Sequence, residues 1–202
     1  KGYQQFLDRG FKDKRVLSNY GALLHQKGDF QNAVRLYEKS ISIYPDNAEA
    51  YCNLGIIFKD LGKPEQAYKY LKKAVEVNPF LPSAQTNLGA IQMSLGQVEQ
   101  AEISLKKGIE LNPNNADSYA NLSTLMLIRQ QIKDAKKYSS KAIKINPLLE
   151  LAHINLSKSL VIEKKLDEAE KSITNAIEIN NNNWDSLNLL GVILKEKRKF
   201  RE

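Results

Sequence analysis

The chain has 202 residues, 42% hydrophobic and 26% charged, a balance that suits a folded soluble protein of one large domain or two small ones. No apolar run is long enough to span a bilayer, and no secretory pattern opens the chain. The net charge of +7 rests on lysines interleaved with acids and paired at Lys72–Lys73, Lys106–Lys107, Lys136–Lys137 and Lys164–Lys165, with no aromatics behind a basic run, which argues against nucleic-acid binding.

The chain opens on Lys1 instead of methionine, as an excised fragment would, and residues 1–13 have the character of the tail of a repeat. From Lys14 onward a period of 34 residues governs the sequence. Prolines fall at Pro45, Pro79, Pro113 and Pro147, with Asn181 in the next slot. Alanines fall at Ala33, Ala67, Ala101, Ala135 and Ala169. Small residues keep the same step at Gly21, Gly55, Gly89, Ser123, Ser157 and Gly191. So do Tyr20, Leu54, Leu88, Leu122, Leu156 and Leu190. Chance does not hold four series in register.

Each period reads as two helices. Over 47–59 and just beyond it, Tyr51, Leu54, Ile57, Phe58 and Leu61 recur at helical spacing. Asp46 and Glu49 predict a capping box at the start, and Gly62 a break at the end. The next helix is expected from Pro64 through Ala67, Leu71, Ala74 and Val75 to about Asn78, because Pro79 prevents its continuation. Gly55 and Ala67 predict a close approach of the two helices, since side-chain bulk there would wedge them apart. The run Asn180–Asn183 predicts a turn between repeats with a cap at Asn182, and Trp184 opens a last half-repeat that is expected to pack on the preceding hairpin.

Tyr51, Leu54–Gly55, Phe58, Ala67, Ala74 and Pro79 together resemble the signature of the tetratricopeptide repeat. The resemblance covers 14–202, with repeats at 14–47, 48–81, 82–115, 116–149 and 150–183 and partial repeats at 1–13 and 184–202. Ser123, Ser157, Ser139 and Gly108 depart from the usual residues of their slots. The resemblance implies an all-α, right-handed superhelical solenoid, a single one over 1–202, whose concave side is lined by the first helix of each repeat.

At the sixth position of five consecutive repeats stands an asparagine: Asn19, Asn53, Asn87, Asn121 and Asn155, followed by Leu189. Asparagine is a mediocre helix former, so local propensity does not recommend it there. Its amide pairs a donor with an acceptor, as a peptide backbone does. The family places this position in the groove, and the row is similar to the asparagine ladder of O-linked N-acetylglucosamine transferases. An extended peptide held by its backbone is therefore expected; the competing reading is a bond to the preceding repeat's backbone. The same register makes the later groove apolar, with Leu127, Ile128, Leu151, Ile154, Val161 and Ile162, fit for an apolar side chain or a partner helix, or for packing between repeats. A carboxylate clamp of the kind known in the family needs cations where Ser18, Ser83 and Asn87 stand, and is disfavoured.

Catalytic chemistry finds no constellation. His25 and His153 occupy different slots, with no nucleophile or carboxylate at a fixed spacing, and His153 reads as a packing residue. Cys52, the only cysteine, cannot form an internal disulfide, which points to a reducing, cytoplasmic setting, and no metal or other cofactor is implied. The expected function is a non-catalytic scaffold that binds a protein or peptide partner. The alternative is the substrate-recruiting region of a larger glycosyl- or sulfotransferase-like enzyme, and a third reading is a self-associating scaffold.

Overall fold

A computed structural model describes residues 13–199. The described residues form helices joined by short turns, in hairpin pairs: α1 (Lys14–Gln26) with α2 (Phe30–Ile43), α3 (Ala48–Asp60) with α4 (Pro64–Val77), and α5 (Pro82–Ser94) with α6 (Val98–Leu111). Then come α7 (Ala116–Ile128) with α8 (Ile132–Ile145), α9 (Glu150–Ile162) with α10 (Leu166–Ile179), and α11 (Trp184–Lys199). The fold is an all-α repeat solenoid. The helices group into two compact units, Lys1–Leu111 and Asn112–Glu202.

Short polar residues start the helices by accepting from backbone N–H groups that have no partner inside the first turn. Asp13 accepts from Arg15 at 2.8 Å, and Asn115 from Ser118 at 3.1 Å. Two expected caps move by one residue. Asn47, not Asp46, accepts from the N–H of Ala50, while Asp46 pairs with Lys14. Asn183, not Asn182, accepts from Asp185 and Ser186. In both places the helix starts one residue later than the sequence pattern suggests, and the side chain nearest its first free N–H groups takes the role. Pro64 and Pro82 open α4 and α5, where a missing N–H costs nothing.

In the first unit the hairpins close on glycine. A Cβ at Gly89 would lie 2.6 Å from the Leu105 side chain, and one at Gly21 2.7 Å from the Tyr37 ring. The core of this unit runs through Ala33, Tyr37, Leu54, Ile57, Ala67, Leu71, Ala84 and Leu88. In the two hairpins of the second unit serine takes the glycine slot, which returns to glycine at Gly191. Ser123 donates to the Ala135 carbonyl at 2.8 Å and Ser157 to that of Ala169 at 2.9 Å. Each hydroxyl bridges the two helices of its hairpin. Ser139, in a slot that usually holds a large residue, is fully buried and leaves room opposite Ser123. Ile154, Leu160, Ala169, Ile173 and Ile193 form a core of this unit.

Candidate interaction surfaces

The asparagine row is not uniform. Asn19, on α1, is exposed, and Asn121, on α7, is half-buried; among the described residues neither side chain has a hydrogen-bond partner. Asn53, on α3, lies beside the Tyr37 hydroxyl, which donates to the Ser18 carbonyl at 3.2 Å and whose pKa burial pushes up to about 12. On α5, the Asn87 amide donates to the Ser83 carbonyl of its own helix at 2.9 Å, and its oxygen accepts a long 3.5 Å bond from Lys59. Asn155, on α9, departs from the ligand-facing expectation. It is 2% exposed and donates to the Ala120 carbonyl at 3.0 Å and to the Thr124 hydroxyl at 2.8 Å. Both acceptors belong to α7, the first helix of the preceding repeat, so this amide joins two repeats. A buried amide with its donors satisfied inside the protein has little left to offer a ligand.

Polar contacts tie the first helices of the first unit to one another. His25, on α1, meets the Asp60 carboxylate of α3 at 2.9 Å, and Lys59 of α3 reaches Asn87 of α5. Cys52 is buried with its thiol against the Ser83 hydroxyl at 3.8 Å, and burial pushes its pKa up to about 11. A thiol held neutral in this way is a poor nucleophile.

The apolar series of the second unit splits. Ile128 and Ile162 are more than half exposed, Leu151 is exposed, and Leu127 and Val161 are half-buried. Ile154 is instead 7% exposed and part of the core, a correction to its place in the apolar surface. His153 is buried, and its Nε2 lies 2.8 Å from the Pro147 carbonyl. Gln85, in the same slot, makes the equivalent bond to the Pro79 carbonyl at 3.0 Å, so these two residues tie their helices to the turns before them. Trp184 does not pack on the preceding hairpin as expected; it is 83% exposed. The tyrosines of α4, passed over in the sequence, line a groove beside Lys69 and Lys72. The signal available there was Tyr68, which stands where the next repeat has Glu102.

Family models described as tetratricopeptide repeat match residues 14–79, 58–125 and 151–183, together well over half of the chain. The chain belongs to the tetratricopeptide-repeat family. A comparison with curated protein sequences finds no match. Among solved structures, this tetratricopeptide-repeat chain is similar to MamA, at 28% identity and a TM-score of 0.64, over 80% of this chain and 94% of that one. It also resembles YrrB, described as a repeat protein of this family with an unusual peptide-binding site, at 18% identity and a TM-score of 0.65, over 93% and 97% of the two chains. A chain of the APC/C hetero-tetramer Cut9–Hcn1 superposes with a TM-score of 0.88 at 16% identity, over 96% of this chain and 39% of that one. At such identities the last two likenesses concern the fold alone. Among the described residues no helix of this repeat protein is long and apolar enough to cross a membrane. No group of three or more His, Cys, Asp or Glu there could hold a metal ion.

Proposed function

We propose that the chain is a non-catalytic interaction module that holds an extended segment of a partner protein. One observation carries this reading. Asn19, Asn53 and Asn87 recur at one slot on three consecutive first helices of the first unit, with Asn19 exposed and, among the described residues, without a hydrogen-bond partner, and the Asn87 oxygen held by a long bond from Lys59. Neighbouring packed helices stand about 8–10 Å apart, and an extended chain advances about 3.3 Å per residue, so each asparagine would meet about every third peptide group. Each such bond contributes about 0.5–1.5 kcal/mol net, which suits weak, sequence-tolerant binding. The second unit, by itself, offers an apolar contact at the exposed Ile128, Leu151 and Ile162, with Leu127 and Val161 beside them in the register, and the amide of Asn121, which has no hydrogen-bond partner among the described residues. The peptide-binding site described for YrrB, which shares the fold, agrees with this reading. A reducing, cytoplasmic setting suits the single buried Cys52.

The test is a pull-down from lysate, read by mass spectrometry, with the wild-type chain and an Asn19→Ala/Asn87→Ala variant of unchanged helicity. Asn53 is left intact because it lies beside the buried Tyr37 hydroxyl. Loss of the main partners from the variant is the expected result. Identical partner sets would remove the asparagines from the site.

A further inference from the structure

The second helix of repeat 48–81 carries a groove that the asparagine row does not use. It has a volume of ≈ 370 Å³ and is lined by Tyr51, Tyr68 and Tyr70 together with Lys69, Lys72, Lys73 and Glu76. All of these lie on α4 except Tyr51, which comes from α3. The Tyr70 ring lies flat against Phe58, with centroids 5.3 Å apart and planes at 2°, and Phe58 belongs to the core. One side of the groove is therefore anchored to the packed interior and stands ready without rearrangement, which reduces the ordering cost of binding.

Its charge is unbalanced for a local reason. In the next repeat, Lys106 pairs with Glu102 at 2.6 Å and Lys107 with Glu110 at 2.9 Å. On α4 the second of these pairs is repeated, Lys73 with Glu76 at 3.3 Å. The first is not, because Tyr68 stands in the slot of Glu102. Lys69 and Lys72 are exposed, and among the described residues neither has an ion-pair partner. One substitution thus removes a carboxylate, frees a cation and adds an aromatic ring to the groove.

We infer that this tyrosine-lined groove docks an acidic segment of a partner protein, with an aromatic or aliphatic side chain set among Tyr51, Tyr68 and Tyr70 and flanking carboxylates against Lys69 and Lys72. Charge complementarity selects this occupant. A second copy is disfavoured because the chain carries +7, and the slots equivalent to Lys69 and Lys72 hold basic residues again at Arg35, Lys106, Lys137 and Lys171. A concave groove also fits a single side chain better than it fits a bilayer surface.

The test starts from phage-displayed random peptides selected on the wild-type chain. The best sequence, made as a fluorescein-labelled peptide, is titrated by anisotropy. Selected peptides should carry Asp or Glu beside Phe, Tyr or Leu, and binding should weaken with added salt. Lys69→Glu/Lys72→Glu, two exposed changes that leave the core untouched, should weaken it by about tenfold or more, and Tyr68→Glu by a similar factor. Asn19→Ala/Asn87→Ala should leave it unchanged, which separates this groove from the asparagine site. Selection of no acidic peptide, or equal binding by the lysine variant, would overturn the inference. So would a lysine-dependent gain of mass with concentration in light scattering, which assigns the groove to a second copy. Lysine-dependent binding to phosphatidylserine vesicles without peptide binding would assign it to a membrane.

Discussion

In α5, Gly89 lies bare against Leu105; in α7 the equivalent residue is Ser123, whose hydroxyl binds the Ala135 carbonyl of the facing helix. The two units solve other shared problems differently as well. The turn inside each hairpin needs one residue in the left-handed region, and the first unit uses Gly28, Gly62 and Gly96, at φ of 76°, 67° and 72°. The second unit places Gln130 and Lys164 there, at 59° and 60°. Between repeats, the first unit sets the apolar Tyr68 and Leu95 against its core. The second uses ions at the same slots: Lys136 meets Glu163 at 2.6 Å, and one repeat on, with the signs reversed, Glu170 meets Lys197 at 2.6 Å. Lys165 adds to the first pair and Asp167 to the second, and these partners hold the Glu163 carboxyl below its ordinary range and the Lys197 amine above its own. The period therefore demands volume and backbone shape at each slot, not one chemistry. The first unit meets the demand with apolar packing and glycine, the second with hydroxyls and charge.

The largest expected effect breaks the glycine contact. Gly89→Val drives carbon into Leu105 and should cost about 3 kcal/mol, seen as lost hydrogen-exchange protection in α5 and α6. Ser123→Ala removes one bridging hydroxyl and should cost about 1 kcal/mol. Equal costs would mean that the two hairpins do not close by different means.

The asparagines sharpen the comparison further. Asn155→Ala removes the donor to Ala120 and Thr124 from a buried site and should cost about 2 kcal/mol in urea unfolding. Asn19→Ala, at an exposed position, should stay within about 0.5 kcal/mol. A similar loss for both would make Asn19 structural too.

Alkaline pH should weaken the first unit. Cys52, pushed up to about 11, and Tyr37, up to about 12, favour their neutral forms when folded. Their contribution is full below the pKa values of the unfolded groups and is lost as pH rises through roughly 9 to 12. The unfolding midpoint should fall over this window, and by less in a Cys52→Ala variant.

The smallest effects concern turns and ions. Gln130→Gly and Lys164→Gly relieve left-handed strain, and each should gain up to about 1 kcal/mol in urea unfolding, less the added chain entropy. Lys136→Ala should cost least, and lose even that at high salt, because the Lys136–Glu163 pair is partly exposed.

Much of this was written locally. The step from Gly62 to Pro64 and the spacing of Leu54, Ile57 and Phe58 declare helix, turn and helix within a few residues, because helical period and turn chemistry are short-range properties. The caps at Asn47 and Asn183 slipped by one residue because several neighbouring polar side chains could serve, and only the backbone chooses which one reaches the free N–H groups.

The sequence by itself determined the repeat, its two helices and the slots that each repeat must fill, since these follow from periodicity. It also named the asparagine row, but it could not say which members of the row are free. That was decided by tertiary structure. Asn155 finds its acceptors 31 and 35 residues away, on the preceding first helix, whereas Asn19 has none among the described residues. Ile154 and Ile128 look alike in the sequence, yet one lies in the core and the other is 57% exposed. Burial and hydrogen bonding depend on which neighbours a fold brings from other repeats, and periodicity is silent about those neighbours.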